Sequence, residues 1–336
     1  MTLDRKARSP RETLAAYQRP SHARSVWELA ITAGPLAALW LAALFALSRG
    51  WLWGALLALP AAAFLVRLFM IQHDCGHGAF FRPRAGNDWT GRIAAVFTLT
   101  PYDYWRRTHA IHHATSGNLD RRGLGAVEML TVAEYRARGP LGRFAYSFYR
   151  HPAVMFGLGP AYMFILQHRL PIGLMKDRKA WFSVMGVNLG LALLVAVEVA
   201  VGGVTAAVAF HLATLVLAGT IGMWLFYVQH QFEGAYWARR DDWSYDEAAL
   251  QGSSHLVLPP VLRWFTANIG AHHIHHLGSK IPFYRLPTVV REHPELTSRR
   301  VTLIESFRFA RLALWDEAAG RLVSFRKARQ LDRAAA

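Results

Sequence analysis

The stretch His109-Ala110-Ile111-His112-His113 decides how the rest of the chain is interpreted, because its spacing returns in His272-His273-Ile274-His275-His276. A third group, His73-Asp74-Cys75-Gly76-His77, precedes it in the chain. The three windows contain nine of the sixteen histidines, where random placement would put roughly one. The pattern therefore predicts a histidine-rich site assembled from distant parts of the sequence.

The spacing within each group favours metal binding. On a helix, side chains three or four residues apart lie on one face, so each group directs several imidazoles the same way. The aligned residues are His73, His77, His109, His112, His113, His272, His275 and His276. Eight ligands exceed the three or four of a single tetrahedral zinc site, so two metal ions are favoured. Imidazole suits iron, copper, nickel or zinc, and the residue types leave this choice open.

The composition points to a membrane protein. The chain is 53% hydrophobic and contains twelve tryptophans over 336 residues. Four apolar stretches are long enough to cross a hydrocarbon core of about 30 Å, and the links within the first pair and the second pair are very short. The predicted membrane-spanning helices cover residues 29–47, 51–71, 181–201 and 204–228.

The basic residues predict the orientation. Of 38 Lys and Arg, six precede the first predicted span, fifteen lie in 72–180 and fifteen follow the fourth span. Because cytoplasmic segments retain Lys and Arg, we expect 1–25, 72–180 and 229–336 to be cytosolic, with both termini and all histidine groups on that side. Arg67 lies within the second span, where we expect it to snorkel to the interface. The +16 net charge is thus a topology signal, and nucleic acid is not expected as a partner.

Several further residues are candidates for the site. His230 lies at the inner end of the fourth span, within reach of a metal held by the three groups. Asp74 is either a solvated carboxylate or an acceptor for a ligand imidazole. Asn268 precedes His272 by four residues, so in a continuous helix it would share the ligand face, either supporting the site or serving as an ordinary polar side chain. Glu233 is another candidate support, and His273, off the face of its neighbours, is expected to support the ligands or face solvent.

The remaining features restrict the function. Cys75 is the single cysteine, which excludes an internal disulfide and a four-cysteine iron–sulfur cluster. The start of the sequence lacks the apolar segment of a cleaved signal peptide, so the first span is expected to direct insertion. Near the end, 303–325 is expected to form an amphipathic cytosolic helix.

At these motifs the sequence resembles the membrane-bound fatty acid desaturases, and more closely their bacterial acyl-lipid members. The resemblance is carried by His73-Asp74-Cys75-Gly76-His77-Gly78, by the second group continued to Asp120, by Val228-Gln229-His230-Gln231-Phe232-Glu233, and by Gly270-Ala271 before the third group. It extends from about the second span to Leu286. It implies an all-α integral membrane protein, taken here as one domain over 1–336 with four spans and a cytosolic helical part that carries the metal site.

The resemblance also implies the chemistry. In this family the histidine groups, with one histidine at the end of the fourth span, hold two non-haem iron ions. The centre uses O2 and two electrons to remove two hydrogens from an acyl chain. Carried over, the ligands are the eight aligned histidines together with His230. No haem-binding loop follows His293-Pro294, so a separate ferredoxin or cytochrome is expected to supply electrons. The expected location is a bacterial inner membrane, and we expect an apolar tunnel that leads the lipid acyl chain past the metals.

Two other functions fit parts of the pattern. The same scaffold could hydroxylate or ketolate a lipid, a carotenoid or an alkane, because the histidine groups do not separate these outcomes. A membrane metal transporter would also bind metal through histidine. A transporter would place ionisable ligands inside the spans, however, whereas the groups here lie beyond their ends.

Overall fold

The structure is a computed structural model that describes residues 10–335. Residues 1–9 of the predicted N-terminal cytosolic segment, and residue 336, lie outside this range. The described chain is mostly helical. Its α-helices are α1 (Pro10–Leu14), α2 (His22–Ser48), α3 (Ala58–Gly76), α4 (Arg84–Thr98), α5 (Tyr102–Thr115), α6 (Val132–Ala137), α7 (Pro140–Tyr149), α8 (Gly159–Ala161), α9 (Arg178–Ala206), α10 (Ala213–His230), α11 (Tyr245–Gln251), α12 (Pro260–Phe265), α13 (His272–Leu277), α14 (Leu286–Glu292), α15 (Leu303–Phe309) and α16 (Phe325–Ala335).

Shorter helical elements connect several of these helices. They are 3-10 turns at Ala15–Tyr17, Leu52–Leu57, Gln167–Arg169 and Phe283–Arg285, and π-helical turns at Val154–Leu158, Tyr162–Leu166 and Ala207–Leu212. The 3-10 turn before α3 continues into that helix without a break. The two π-helical turns around α8 form one continuous helical segment, called the 154–166 segment below.

In the part of the chain that the structure describes, three helical segments are long and apolar enough to cross a membrane: His22–Ser48, Leu52–Gly76 and Arg178–His230. The predicted spans 29–47 and 51–71 lie in the first two segments. The predicted spans 181–201 and 204–228 both lie in the third segment, which has 53 residues.

The third segment reverses direction at Gly203. This residue has φ 76° and ψ 175°, a conformation essentially restricted to glycine. Glu198 Oε2 lies 2.7 Å from His211 Nδ1 although the two residues are thirteen positions apart, whereas a straight helix would separate them by about 20 Å along its axis. The segment is therefore a hairpin of two helices.

The connection between α4 and α5 is fixed to α3 beside its first histidine. Leu99, between the two helices, has a left-handed φ of 51°. Thr98 donates to the Gln72 side chain at 2.6 Å, and Gln72 donates to the Thr100 carbonyl at 2.8 Å. Because Gln72 precedes His73, these bonds hold the start of α5 against the histidine-bearing end of α3.

Residues 10–335 also contain two small β-sheets, which the prediction of an all-α protein does not include. The strands are β1 (Leu130–Thr131), β2 (His255–Val257), β3 (Arg300–Thr302), β4 (Leu314–Asp316) and β5 (Arg321–Val323). β4 lies between β1, its parallel neighbour, and β5, its antiparallel neighbour. β2 pairs with β3 in parallel. The single helix predicted over 303–325 is wrong, because the region contains only the short helix α15 followed by the β4–β5 hairpin.

Arg67 does not snorkel. Its side chain is 2% exposed and donates to the Glu28 carboxylate of α2, to Thr32 Oγ1 at 3.1 Å and to the Trp264 carbonyl. A buried guanidinium needs such partners because desolvation of an unpaired charge is costly. The contacts tie α2 and α3 to α12, the short helix that precedes α13 in the chain.

Candidate metal centre

Helices α3 and α5, which both supply histidines, pack closely against each other at Gly76. His73 and His77 are one turn apart at the end of α3, and Gly76 lies between them. A Cβ at Gly76 would stand 2.8 Å from the Trp105 ring of α5. The absence of a side chain therefore allows Trp105 to approach, where it stacks on His109 with ring centroids 4.4 Å apart.

The third histidine group lies on α13, a helix of only six residues. The loop before it is held by the small sheet: Leu256 N donates to the Gly270 carbonyl at 2.8 Å, and a Cβ at Gly270 would stand 2.2 Å from the Leu256 carbonyl oxygen. Tyr245 of α11 donates to the His276 carbonyl at 2.7 Å. These contacts fix a helix too short to be stable by itself.

The nine predicted ligands lie in two groups, in each of which one ring nitrogen per residue is within 4.8 Å of the others. The first cluster is His73, His77, His109, His113 and His275; the second cluster is His112, His230, His272 and His276. α5 and α13 each contribute to both clusters. All nine rings are buried apart from His77, which is partly exposed.

Within each cluster the Nε2 atoms face one another. In the first, His109 Nε2 lies 3.1 Å from His73 Nε2 and from His113 Nε2, and His275 Nε2 lies 3.2 Å from His113 Nε2. In the second, His230 Nε2 lies 3.1 Å from His112 Nε2 and 3.0 Å from His272 Nε2. Nitrogens bound to one metal at about 2.1 Å would lie about 3.0 Å apart at right angles and about 3.4 Å apart in a tetrahedron. The spacing fits ligands that surround a metal ion.

Burial keeps these imidazoles neutral. Desolvation, together with neighbouring imidazoles, holds the pKa of His77, His109, His112, His113, His272, His275 and His276 well below the ordinary value. A neutral imidazole retains the lone pair that a metal needs, whereas a protonated ring has none. Converging lone pairs also repel one another unless a cation lies between them. The arrangement therefore favours bound cations.

The donor set in the described chain is entirely nitrogen. Neither cluster includes a carboxylate or Cys75, although Cys75 is buried on the same helix as His73. Such a set fits the imidazole-binding transition metals and does not fit calcium or magnesium, which prefer oxygen. The residues present thus fit a pair of transition-metal ions.

Polar groups lie behind the rings of two of the predicted ligands. His230 Nδ1 lies 3.2 Å from the Gly252 carbonyl, which fixes Nδ1 as the donor and turns Nε2 towards the second cluster. Asp74 Oδ2 accepts from Phe283 N at 2.7 Å, and its Oδ1 lies 3.5 Å from His73 Nδ1. Asp74 is therefore a buried carboxylate beside a cluster histidine, not a solvated loop residue.

Two other candidates from the sequence, Asn268 and Glu233, do not contact the clusters in the predicted way. Asn268 is not on a helix face shared with His272, because α12 ends at Phe265 and Asn268 has a left-handed φ of 57°; its side chain donates to the Phe283 carbonyl at 3.2 Å. Glu233 is exposed and, within residues 10–335, forms no hydrogen bond or ion pair with the nine histidines, so a supporting role is not favoured.

Of the two alternatives predicted for His273, support of the ligands or contact with solvent, the second is wrong. The residue is 2% exposed, and its ring lies 5.3 Å from that of His255. Burial lowers its pKa to about 3. It belongs to neither cluster, and it packs α13 against the small sheet.

A cavity of about 670 Å³ adjoins both clusters. Its wall includes His73 and His109 of the first cluster and His272 of the second. Most of the other lining side chains are apolar, and they come from α3, α5, α7, the 154–166 segment and α10. The size and lining are those of a ligand-binding cavity.

Sequence reasoning missed several residues that build this region. Arg150 is 3% exposed and donates to the carbonyls of Glu128 at 2.7 Å and Leu312 at 2.8 Å. It thereby joins loop 124–128, which lines the cavity, to the C-terminal region. No sequence signal marks it among 38 basic residues. Trp105 could have been found, because it precedes His109 by four residues and so shares its helix face.

Comparisons with known proteins agree with this geometry. The family model described as Fatty acid desaturase matches residues 49–307. A protein of Bacillus subtilis named fatty acid desaturase is 39% identical over 326 residues, which cover 97% of this chain and 92% of that protein. A Synechocystis sn-1 acyl-lipid omega-3 desaturase (ferredoxin) is 26% identical, covering 80% of this chain and 74% of that protein. A Synechocystis sn-1 oleoyl-lipid 12-desaturase is 28% identical, covering 66% and 63%.

Proposed function

Because the chain belongs to the fatty acid desaturase family and is thus an oxidoreductase, we propose that it introduces double bonds into the acyl chains of membrane lipids at two iron ions. In this proposal the first cluster holds one ion and the second cluster holds the other. O2 is the oxidant, and an external carrier supplies electrons.

The observation that carries the proposal is the position of the two clusters beside the apolar cavity. Two sets of converging neutral imidazoles form part of the wall of a space that an acyl chain could fill. A metal site with a storage or purely structural role would not need such a space. An acyl chain in this cavity would have carbon–hydrogen bonds next to both clusters.

The reaction removes one hydrogen from each of two adjacent carbons and reduces O2 to two water molecules. The acyl chain supplies two electrons, the carrier supplies the other two, and two protons complete the water. Iron bound at the clusters would supply the oxygen activation that an unactivated carbon–hydrogen bond requires.

The protein's own residues perform the remaining tasks. The apolar side chains of the cavity bind and align the acyl chain and exclude water from the oxidising centre. Trp105, stacked on His109, forms part of this wall. The Gly252 carbonyl holds the proton of His230 at Nδ1, which leaves Nε2 free as a ligand.

The cavity supports a lipid-bound substrate. Three of its lining residues, Phe148, Leu158 and Tyr162, are 54%, 64% and 56% exposed. These apolar side chains suit contact with bilayer lipid and offer no cationic group for the phosphates of a soluble thioester carrier. The names of the Synechocystis relatives include acyl-lipid and oleoyl-lipid substrates, in agreement with this choice.

The electron donor is proposed to be a separate ferredoxin or a similar acidic carrier. One Synechocystis relative carries ferredoxin in its name. The chain's net charge of +16, concentrated in the segments that contain the histidine groups, would attract an acidic protein.

We further propose four membrane crossings with the clusters on the cytoplasmic face of a bacterial inner membrane. The reversal at Gly203 divides the third apolar segment into two helices, each long enough to cross. His73 lies near the end of α3 and His230 at the end of α10, so two crossings deliver ligands to one face. The basic residues before α2, after α3 and after α10 mark that face as cytoplasmic.

The test is expression in a host that lacks polyunsaturated lipids, with mass-resolved analysis of intact lipids and of their acyl chains. We expect new double bonds in lipid-bound chains, absent with His112→Ala, and about two iron ions per purified chain. A hydroxylated or keto product would instead support the hydroxylase alternative. Purified protein without iron would overturn the metal assignment.

A further inference from the structure

Gly222 of α10 is a glycine that the protein's own packing does not explain. A Cβ built at this position meets no atom within 4 Å. The residue lies inside a regular helix, where replacing alanine by glycine lowers the equilibrium constant for helix formation about four- to fivefold. Neither a close neighbour nor an unusual backbone therefore requires glycine here. Gly222 does, however, line the large cavity.

The nearby Gly219 shows the opposite situation. A Cβ there would lie 2.9 Å from the Phe164 ring and 3.2 Å from Pro160 Cβ. Its smallness is thus explained by direct contact between α10 and the 154–166 segment. Thr220 strengthens this contact by donating to the Phe156 carbonyl at 2.8 Å.

These two glycines locate a closed end of the cavity. Phe164 and Gly222 line it, whereas Gly219 does not, so the walls meet between Gly222 and Gly219. Leu225, Phe226 and Gln229 also line the cavity, and their spacing places them with Gly222 on one face of α10. Along this face, Gly222 is about 12 Å from His230 of the second cluster.

We propose that Gly222 sets the upper limit on the length of the acyl chain that the enzyme converts. The inference rests on the proposed function, in which the acyl chain occupies the cavity. The space left by the missing side chain holds the end of the chain farthest from the clusters. A side chain at this position would occupy that space. A substrate whose end no longer fits would leave its last methylenes unburied, and each unburied methylene would lower the binding constant about fourfold.

The experiment is a graded series, Gly222→Ala, Gly222→Val and Gly222→Leu, supplied with saturated fatty acids that differ by two carbons. The measurement is the fraction of each chain length converted. We expect the longest converted chain to become shorter as the side chain grows, while the shortest substrates are still converted. The reciprocal variant Phe164→Ala, which enlarges the closed end, should extend conversion to longer chains.

The matched control is the same series at Gly186, an exposed glycine of α9 where a Cβ also meets nothing within 4 Å and which does not line the cavity. These variants should leave the length profile unchanged. An unchanged profile in the Gly222 series, or an equal loss at every chain length, would overturn the proposal.

A separate measurement distinguishes this outcome from failure of the proposed function. The chain-length distribution of lipids that copurify with each variant is read by mass spectrometry, together with iron content. If the wild-type protein converts acyl chains to hydroxylated products, the desaturation proposal fails while the length limit still shifts. If the copurified lipids do not shift with Gly222, the length proposal fails even where double bonds are formed.

Discussion

His113 and His276 stack face to face, with ring centroids 4.1 Å apart and planes inclined by 15°. His113 belongs to the first cluster and His276 to the second, and 163 positions separate them in the sequence. The stack is therefore a direct contact between the two clusters. Ions bound at the two clusters would be neighbours, and a change in one cluster should affect the other.

This contact leads to a prediction about metal content. His77→Ala removes a ligand of the first cluster whose ring does not take part in the stack, so we expect bound iron to fall towards one ion per chain. His113→Ala removes a ligand and the stack together, so we expect iron to fall towards zero. Both variants should lose more than about a hundredfold in activity, since even residues that only support a ligand contribute ten- to a hundredfold.

Elemental analysis of purified protein gives the stoichiometry. The control is His151→Ala, an exposed histidine outside both clusters, which should retain the wild-type iron content. Equal iron loss in His77→Ala and His113→Ala would show that the stack does not couple the clusters.

Asp74→Asn should weaken metal binding with little change in the fold. The amide oxygen can still accept from Phe283 N, the bond seen here at 2.7 Å, but the acidic group beside His73 is lost. Carboxylates behind a ligand imidazole increase its basicity, so we expect metal affinity to fall by about ten- to a hundredfold. Competition with a chelator measures this affinity. Asp120→Asn, at an exposed aspartate, is the control and should bind as the wild type does.

His168 should make stability depend on pH. Its Nδ1 lies 3.3 Å from the Leu99 carbonyl, and burial lowers its pKa from 6.5 to about 4. The unfolded chain therefore binds this proton more readily, so the contribution of neutral His168 to stability is complete above about pH 6.5 and is lost as the pH falls towards 4. In His168→Gln the fall in unfolding free energy between pH 7.5 and 5 should be smaller by about 2 kcal/mol.

Chemical unfolding in one detergent at the two pH values provides the measurement. Comparing each protein with itself at pH 7.5 removes the constant cost of the substitution. If His168→Gln and the wild type lose the same free energy on acidification, His168 is not buried in its neutral form.

Arg150→Met should destabilise the protein by about 3 kcal/mol or more. The substitution removes the hydrogen bonds that Arg150 donates to the carbonyls of Glu128 and Leu312 at 2.7 and 2.8 Å, and hydrogen bonds from a charged group contribute about 1.5–3 kcal/mol each. Arg143→Met, at an exposed position of α7, should change stability by less than about 0.5 kcal/mol. Thermal unfolding compares the two; similar effects would contradict the assigned role of Arg150.

Gly203→Ala should destabilise the α9–α10 hairpin by about 1–3 kcal/mol, because an L side chain does not tolerate φ 76° and ψ 175°. Gly186→Ala, in the regular part of α9, should be neutral or stabilising. Proteolysis near residue 203 and unfolding midpoints report the difference. Equal stability in the two variants would mean that the chain does not adopt this turn.

The sequence allowed the helices and the histidine groups to be predicted because their signals are local. The apolar stretch 29–47 lies within α2, and residues 181–201 and 204–228 correctly bracket the reversal at Gly203. The geometry brings together all nine predicted ligands: spacing within the groups placed eight of them on helix faces, and the family resemblance added His230.

The errors arise where distant residues determine the structure. Leu130 pairs with Leu314 across strands of two and three residues, too short to show an alternating pattern. Arg67 is held by Glu28 and Trp264, which lie in other parts of the chain. For Asn268, the prediction depends on a continuous helix, whereas the left-handed residues Ala267 and Asn268 separate α12 from α13. The role of Gly222 could not be predicted from the sequence, because the residue faces the cavity and not another side chain.

The position of α13 in the chain has a consequence for biogenesis. Its histidines complete both clusters, His275 in the first and His272 and His276 in the second. During synthesis, α3, α5 and α10 leave the ribosome before α13 does. At that stage both clusters still lack their α13 histidines. If the clusters bind metal as proposed, stable loading would have to follow the synthesis of α13, and a nascent chain arrested before residue 272 should carry no firmly held metal.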